Sequence, residues 1–187
     1  MRNALGKDAT GGNATGRRAL LASGLGSGAW LAGMGPGQTA WAALAAPASK
    51  PILTVSGLIR STNQDTQAAF DRPMLEQLGL TTIETATPWY TGKTRFEGVL
   101  MSRLMDEVGA YGDRMTAFAL NDYTTEIPVA DFRRFPVILA MKRDGEYMPV
   151  RDKGPLFIVY PFDSDAELRS QKYYSRSAWQ VARLNIT

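Results

Sequence analysis

The sequence predicts an α+β domain with a mixed sheet and short helices. Short apolar runs of strand composition are interspersed with short helical patterns, without the regular strand-helix order of a parallel α/β fold. A continuous apolar run from Leu156 to Tyr160 lies between Pro155 and Pro161, which is typical of a strand covered on both faces. The sequence shows no internal repeats and no boundary of a second domain. We therefore expect a single domain over residues 46–187.

Residues 1–45 have the pattern of an export signal. Arg17 and Arg18 precede a weakly apolar stretch, and Ala43 to Ala45 form a small-residue cleavage pattern, which together indicate a twin-arginine signal. A retained membrane anchor is the alternative, but glycines interrupt the apolar stretch. We therefore expect a periplasmic protein from which this leader is removed.

The excess of basic over acidic residues in the full sequence comes from this leader. Four of the 21 basic residues and one of the 18 acidic residues lie in it, so 17 of each remain in residues 46–187. No run of lysine and arginine remains that would bind a phosphate backbone. The sequence therefore argues against nucleic acid as a partner.

The chain contains neither cysteine nor histidine. Without thiolate or imidazole ligands, structural zinc, blue copper and haem with a histidine axial ligand are excluded. Nucleophiles that depend on a histidine base are excluded as well. No side chain shows a pattern that would identify it as a general base, so we predict no catalytic residue and no protein ligand to a metal.

The first half of the domain is predicted to alternate strands and short helices. The expected elements are a strand at 51–59, a helix from Asp71 to Gly79, a strand at 81–87, an ordered loop at 88–93 and a helix at 99–108. Asp71 before Pro73 is typical of a helix start. The second helix is the clearest, because Leu100, Leu104 and Val108 recur at four-residue steps.

The second half is predicted to consist mainly of strands. The expected elements are a strand at 115–120, a polar turn at 121–123, helical turns at 130–134 and 163–169, a hairpin at 137–150, the apolar strand at 156–160 and a closing strand at 179–186. Asp144-Gly145 supplies the two-residue turn of the hairpin. These elements together predict the mixed sheet.

A charged turn precedes the apolar strand. Arg151, Asp152 and Lys153 place two cations and a carboxylate on a turn that Gly154 allows to bend tightly. Such a turn suits an anionic or heteroaromatic ligand. An ion-paired surface turn is the alternative.

Four groups of short motifs lie in order along residues 52–187. They are Phe96-Glu97-Gly98-Val99-Leu100, Asn121-Asp122-Tyr123 with Ile127-Pro128, Leu139-Ala140 with Asp144-Gly145, and Gly154-Pro155-Leu156 before Tyr160-Pro161. Their order and spacing resemble the molybdopterin-binding domain of the sulfite oxidase superfamily. The resemblance implies a sulfite-oxidase-like molybdopterin-binding fold with a pterin pocket. It also suits a twin-arginine signal, since that route exports folded proteins already carrying their cofactor.

One departure from this resemblance concerns the metal. Enzymes of the superfamily bind molybdenum through a cysteine thiolate, which by the order of motifs would fall near Thr85, Ala86 or Thr87. A neutral hydroxyl is a poor ligand for a soft metal. The chain is more similar to the small, cysteine-less branch of periplasmic proteins that bind a simple pterin. That similarity implies a pterin as the ligand and the periplasmic domain of an inner-membrane signalling protein as the partner.

A pterin needs an aromatic face for stacking and polar groups at the edge of its ring. The residues predicted to provide the face are Trp89, Tyr90, Tyr123 and Trp179. Those predicted to reach the ring edge or a phosphate are Asn121, Asp122, Arg151, Lys153, Arg176 and Ser177. Structural roles are the alternative for several of them. Trp89 could be a core residue, and Asp122 could form an Asx-turn. The cations Arg151, Lys153 and Arg176 could form surface ion pairs.

Three functions are consistent with these residues. The first is a non-catalytic periplasmic protein that binds a pterin and regulates a membrane-bound signalling partner. The second is a molybdopterin-dependent oxidoreductase whose metal is held only by cofactor sulfurs and solvent. The third is an interaction domain whose pocket has closed. The sequence alone leaves open whether the chain is an enzyme.

Overall fold

The computed structural model describes residues 43–187. The predicted export signal at residues 1–45 lies outside the described residues, except for Ala43 to Ala45. The Leu44 side chain packs against the core, and the Ala45 carbonyl accepts a hydrogen bond of 2.7 Å from the side-chain amide of Asn63. Within the described region, no helix has the length and apolar character needed to cross a membrane.

Ten strands and four short α-helices make up the described region. In chain order they are β1 (Leu53–Gly57), β2 (Ala68–Phe70), α1 (Arg72–Gln77), β3 (Leu80–Thr87), β4 (Tyr90–Leu100), α2 (Met101–Glu107), β5 (Arg114–Ala119), β6 (Thr124–Pro128), α3 (Val129–Arg134), β7 (Ile138–Arg143), β8 (Glu146–Tyr147), β9 (Phe157–Val159), α4 (Gln171–Arg176) and β10 (Val181–Ile186). The helices are six or seven residues long. Helices this short depend on packing for their stability.

The strands form two sheets rather than one. The first has the order β2-β1-β10-β5-β6, in which only the β1–β10 pair is parallel. The second has the order β3-β4-β7-β8 and is antiparallel, with β9 pairing with β7 at Ile138 to Ala140. The predicted α+β class with mixed pairing is confirmed.

Two apolar clusters form the core. The larger contains buried residues of the first sheet together with Leu75 of α1 and Leu104 of α2. The smaller lies on the second sheet around Phe96 and Phe157. Trp89, in the turn between β3 and β4, packs against both clusters. The turn that joins these two strands is therefore held in place by the whole core.

Gly98 allows β4 and β7 to approach each other closely. A Cβ atom at this position would lie 2.1 Å from the Leu139 carbonyl oxygen and 2.5 Å from the Ala140 Cα. The pairing also changes register between Glu97 and Gly98. Any larger residue would push the two central strands of the second sheet apart.

Two sequence predictions need correction around β4. Residues 90–93 were expected in a loop, but the turn contains only Pro88 and Trp89, and Tyr90–Leu100 is a strand. The helix expected from residue 99 begins at Met101, because Val99 and Leu100 pair with neighbouring strands. Pairing with β3 at Tyr90 and Lys93 overrides the local turn signals of glycine and lysine.

Three further elements, β2, β6 and α4, were not predicted, and β2 has only three residues. β6 is an edge strand with two threonines and a glutamate exposed or partly exposed, so it lacks a strong apolar pattern. In α4 only Tyr173 is buried. The remaining elements lie where the sequence predicts them, with ends that differ by a few residues.

The buried carboxylate of Asp71 gives a pH-dependent prediction. Its side chain accepts hydrogen bonds from the Met74 N–H at 3.0 Å and the Ser49 N–H at 2.8 Å. These bonds, that from Met74 foremost, hold the pKa of Asp71 below its usual value despite the opposing effect of burial. A carboxylate whose pKa is lowered in the folded state adds stability above its unfolded-state pKa, and this stability is lost as the pH falls through the folded-state value.

We therefore expect Asp71→Asn to lower the free energy of unfolding near neutral pH, with the difference from wild type closing in acid. Denaturant unfolding between about pH 7 and about pH 3 measures this difference. The matched control is Asp113→Asn, which removes an exposed carboxylate and is expected to change stability little at any pH. A difference for Asp71→Asn that does not change with pH would contradict the prediction.

Candidate functional site

A cleft of about 270 Å³ opens beside the β3–β4 turn. Its walls come from that turn, from the turn before β6, from α4 and from the segment that follows α4. The lining residues are Pro88, Trp89, Tyr123, Gln171, Tyr174, Ser175, Ser177 and Trp179. None of the described residues that line it is charged. The cleft is slightly below the volume range typical of small-molecule sites and is rich in aromatic rings, as such sites are.

Trp89 is the centre of the aromatic wall. Its ring lies edge-on to those of Phe157 and Trp179, with centroid distances of 5.4 and 5.6 Å. Further edge-on contacts, at 6.1 and 6.2 Å, join it to Phe162 and Tyr174. Edge-to-face pairs at these distances are favourable and fix ring orientation. The residue thus serves both as part of the core and as a wall of the cleft.

Tyr123 and Trp179 extend the aromatic lining of the cleft. Their rings are nearly parallel, with an interplanar angle of 7° and centroids 6.4 Å apart. The Tyr123 hydroxyl donates a hydrogen bond of 2.7 Å to the Ser175 carbonyl of α4. This bond joins the turn before β6 to the helix, so both move together if the cleft widens.

The side chains of Asn121 and Asp122 build the turn and do not line the cleft. The side-chain Oδ1 of Asn121 accepts a hydrogen bond of 3.2 Å from the Tyr123 N–H, which is the contact of an Asx-turn. Asp122 adopts a left-handed backbone conformation with φ of 64°. Both side chains are exposed. Their observed role is to orient Tyr123.

A buried ion pair holds α4 against the core. The Asp131 carboxylate accepts hydrogen bonds from the Arg176 guanidinium at 2.7 Å and from the Tyr160 hydroxyl at 2.8 Å. The side chains of Arg176 and Asp131 are 17% and 11% exposed. Burial, with the neighbouring Asp131 carboxylate, raises the pKa of Tyr160 well above its usual value, so the phenol remains a donor. Arg176 is thereby engaged outside the cleft lining.

A second set of contacts fixes the same helix. The Tyr173 hydroxyl donates to Glu167, which also pairs with Arg134. Burial and the hydrogen bond to Glu167 raise the pKa of Tyr173 to about 12. The Ser177 hydroxyl donates to the Tyr173 carbonyl at 3.0 Å. Helix α4 is therefore attached at several points, and the cleft wall that it provides is preformed.

Tyr90 lies in a charged cluster next to the cleft. Its hydroxyl donates to the Asp152 carboxylate at 3.1 Å, and the Arg143 guanidinium pairs with the same carboxylate at 2.8 Å. Partial burial raises the pKa of Tyr90. The Lys153 ammonium lies 4.8 Å from the Tyr90 ring and 5.4 Å from the Trp179 ring. Lys153 thus connects this cluster to the cleft through a cation–π contact.

The structure separates the predicted site residues into two groups. Four of them line the cleft together: Trp89, Tyr123, Ser177 and Trp179. Lys153 touches the rim through the Trp179 ring. The other predicted residues, which lie outside the lining, are Tyr90, Asn121, Asp122, Arg151 and Arg176.

Sequence reasoning missed Pro88 and three residues of the α4 region. Gln171, Tyr174 and Ser175 are spaced at i, i+3 and i+4, which places them on one face of a helix. Recognition of that helix would have identified all three. The signal was weak because the helix has only six residues and no side-chain cap.

The donors at residues 85–87 do not fit a molybdenum centre held by the protein, because they are two neutral threonine hydroxyls, of which that of Thr87 is buried without a hydrogen-bond partner among the described residues. Thr85 is fully buried, and its hydroxyl accepts a hydrogen bond of 3.1 Å from the Asp163 N–H and donates to the Ala86 carbonyl at 3.3 Å. The Asp163 carboxylate lies beside it, accepting the Ala86 N–H at 3.1 Å. Among residues 43–187, no group of three or more acidic side chains could hold a metal ion. The aromatic, uncharged cleft instead fits the flat ring of a pterin.

The buried ion pair of α4 yields a prediction with an internal control. Asp131→Ala leaves Arg176 buried and unpaired, so we expect a loss of about 3–5 kcal/mol in the free energy of unfolding. Asp106→Ala breaks the exposed ion pair with Arg133, whose side chains are 60% and 57% exposed, and should cost less than about 1 kcal/mol. Denaturant unfolding of both variants measures the difference. Equal losses would show that α4 does not depend on this pair.

The comparison with known proteins agrees with this geometry. The family profile described as "Oxidoreductase molybdopterin binding domain" matches residues 54–168, more than half of the chain. The matched part includes Trp89 and Tyr123 but ends before α4 and Trp179. None of the curated proteins compared matches the chain. The chain belongs to the family of oxidoreductase molybdopterin-binding domains, the domain of the sulfite oxidase proteins.

Proposed function

We propose that this protein is a periplasmic, non-catalytic pterin-binding protein that regulates a membrane-bound signalling partner. Family membership supports a pterin as the ligand. The observation that carries the proposal is the contrast between an aromatic, uncharged cleft and residues 85–87, which offer two neutral threonine hydroxyls where enzymes of the superfamily have a thiolate. The cleft offers a flat ring a surface for stacking, whereas a neutral hydroxyl is a poor ligand for molybdenum.

The cleft offers the two kinds of contact that a pterin ring needs. Trp89, Tyr123 and Trp179 provide aromatic faces and edges for the ring. The side-chain amide of Gln171 carries both donors and an acceptor, which can pair with the alternating donors and acceptors at the pterin edge. The ligand would thus be held by stacking and neutral hydrogen bonds.

The cleft lining supports a binding role rather than catalysis. It contains no carboxylate, amine, imidazole or thiol among the described residues. Proton transfer in a reaction needs an ionisable group within hydrogen-bonding reach, and the phenols of Tyr123 and Tyr174 are the ionisable groups among these lining residues. Arg176 lies in the sequence between the cleft residues Ser175 and Ser177, but its guanidinium is paired with the Asp131 carboxylate. These features favour recognition of a ligand over its conversion.

Other observations support the proposed periplasmic location and the proposed signalling partner. The arginine pair at 17–18 and the small residues at 43–45 support export through the twin-arginine route. The similarity to the cysteine-less branch of the superfamily supports regulation of an inner-membrane signalling protein. A molybdopterin-dependent oxidoreductase is the alternative, and the family match alone favours it.

Loss of the tryptophan at position 89 should weaken pterin binding. Stacking of a heterocycle on an aromatic ring contributes about 1–3 kcal/mol, so we expect Trp89→Ala to weaken binding by about tenfold or more. Isothermal titration calorimetry with a simple pterin measures the affinity of each protein.

Trp89 also packs in the core, so a second variant is needed. Tyr123→Ala removes a cleft ring that is 42% exposed and should weaken binding with a smaller loss of stability. Tyr111→Ala, at an exposed ring outside the cleft, is the control and should bind as the wild type does. Unchanged affinity in both cleft variants would remove this cleft from the proposal.

The composition of the native protein separates the two candidate functions. Protein exported through its own signal, from cells supplied with molybdate, is expected to contain a stoichiometric pterin and no molybdenum. Metal analysis and mass spectrometry of the denatured supernatant measure both. Molybdenum near one atom per chain, with turnover of a substrate, would support the oxidoreductase instead.

A third outcome would indicate a closed pocket. Protein that contains no small molecule, and that no added pterin stabilises, would be an interaction domain. A ligand at about 100 times its Kd should add about 2.7 kcal/mol to the free energy of unfolding, so thermal or denaturant unfolding can detect binding readily.

A further inference from the structure

A second and larger groove lies at the end of the first sheet where β1 begins. Its volume is about 460 Å³, and its lining is mostly apolar. Leu120 and Val150, which are 54% and 50% exposed, both face this groove. Single exposed apolar residues are ordinary on protein surfaces, but two that face one apolar groove indicate an interaction site.

The charged residues that line the groove in the described chain are both basic. Lys50 and Arg183 are the charged residues of its lining, and no acidic residue of the described chain belongs to it. The nearby Asp152 carboxylate is already paired with Arg143. An incoming segment with acidic residues would therefore meet uncompensated positive charge at the rim, which favours its approach and orientation.

The groove is connected to the cleft through the backbone. The Leu120 N–H donates to the Gln180 carbonyl at 2.9 Å, and the Gln180 side-chain amide donates to the Val150 carbonyl at 2.6 Å. Gln180 directly follows Trp179, and Leu120 lies three residues before Tyr123. The two segments that supply the cleft rings thus continue into the walls of the groove. A shift of either ring on ligand binding would displace the groove lining.

We propose that this groove is the docking site for the signalling partner and that it binds an apolar segment flanked by acidic residues. The inference rests on the proposed regulatory function. The concave shape favours a protein segment over a membrane surface, which would meet the apolar groove floor only at its edges. Binding of a pterin and docking of the partner are coupled through residues 120–123 and 179–180.

Site-specific photocrosslinking tests the proposal in cells that express the full chain. A benzophenone amino acid replaces Leu120 or, as the matched control, Tyr111, which is equally exposed at 54% and lies at the opposite end of the first sheet. The expected result is a crosslinked product from position 120 and none from position 111. Mass spectrometry should map the crosslink to an apolar segment with acidic neighbours in a membrane protein.

Charge reversal provides the second readout. Arg183→Glu should reduce the crosslinked product by about tenfold or more, because like charges then face each other at the rim. Equal products from both positions, no product from position 120, or no effect of Arg183→Glu would overturn the proposal. Sedimentation of the wild type, but not Arg183→Glu, with vesicles containing phosphatidylglycerol would assign the groove to a lipid surface instead.

Pterin titration distinguishes this inference from the function on which it rests. The purified Arg183→Glu variant should bind a simple pterin as the wild type does, because Arg183 neither lines the cleft nor belongs to the coupled segments 120–123 and 179–180. Wild-type protein that binds no pterin contradicts the proposed function, whatever the crosslinking shows. Normal pterin binding without a crosslink at position 120 contradicts only the docking site.

Discussion

The packing of Trp89 is the constraint on which the arrangement of the cleft depends. The ring lies in the turn between β3 and β4 and contacts both apolar clusters of the core. Its edge-on contacts with Phe157 and Trp179 fix the position of the wall that the cleft presents. A side chain held by so many neighbours loses little conformational entropy when a ligand binds. The cleft is thus preorganised by the same contacts that stabilise the fold.

The wall formed by α4 is held by electrostatics as well as by the packing of Tyr173 and Tyr174 against the core. Helix α4 is too short to be stable alone, and the ion pair between Arg176 and Asp131 ties its last turn to α3. This pair has a second consequence, since it neutralises Arg176, which lies in the sequence between two cleft residues, Ser175 and Ser177. The same interaction therefore positions the wall and keeps the lining uncharged. A ligand must then be recognised through its shape, its π surface and neutral hydrogen bonds.

The sequence predicted the fold class and most elements, because periodic apolar residues and turn residues such as Asp71 and Gly79 are local signals. It failed where long-range contacts decide the structure. Gly92 and Lys93 have turn composition but lie in β4, where Lys93 pairs with Ala86 of β3. Arginine is a residue type that often binds anions, but the Arg176 guanidinium pairs with Asp131, which lies 45 positions away in the sequence. No local pattern reveals such a pairing, so its engagement could only be seen in the structure.

The surroundings of Thr85 show that the departure from the metal-binding pattern involves more than one residue. Its hydroxyl and the Ala86 N–H both bond to Asp163, which joins the end of β3 to the segment after β9. The Thr85 hydroxyl is thus part of the contact between these two segments, and the Asp163 carboxylate also pairs with the Lys93 ammonium at 3.6 Å. A cysteine at position 85 would replace the hydroxyl that accepts the Asp163 N–H and donates to the Ala86 carbonyl. Replacing Thr85 alone would therefore alter the contact with Asp163 as well as supply a thiol.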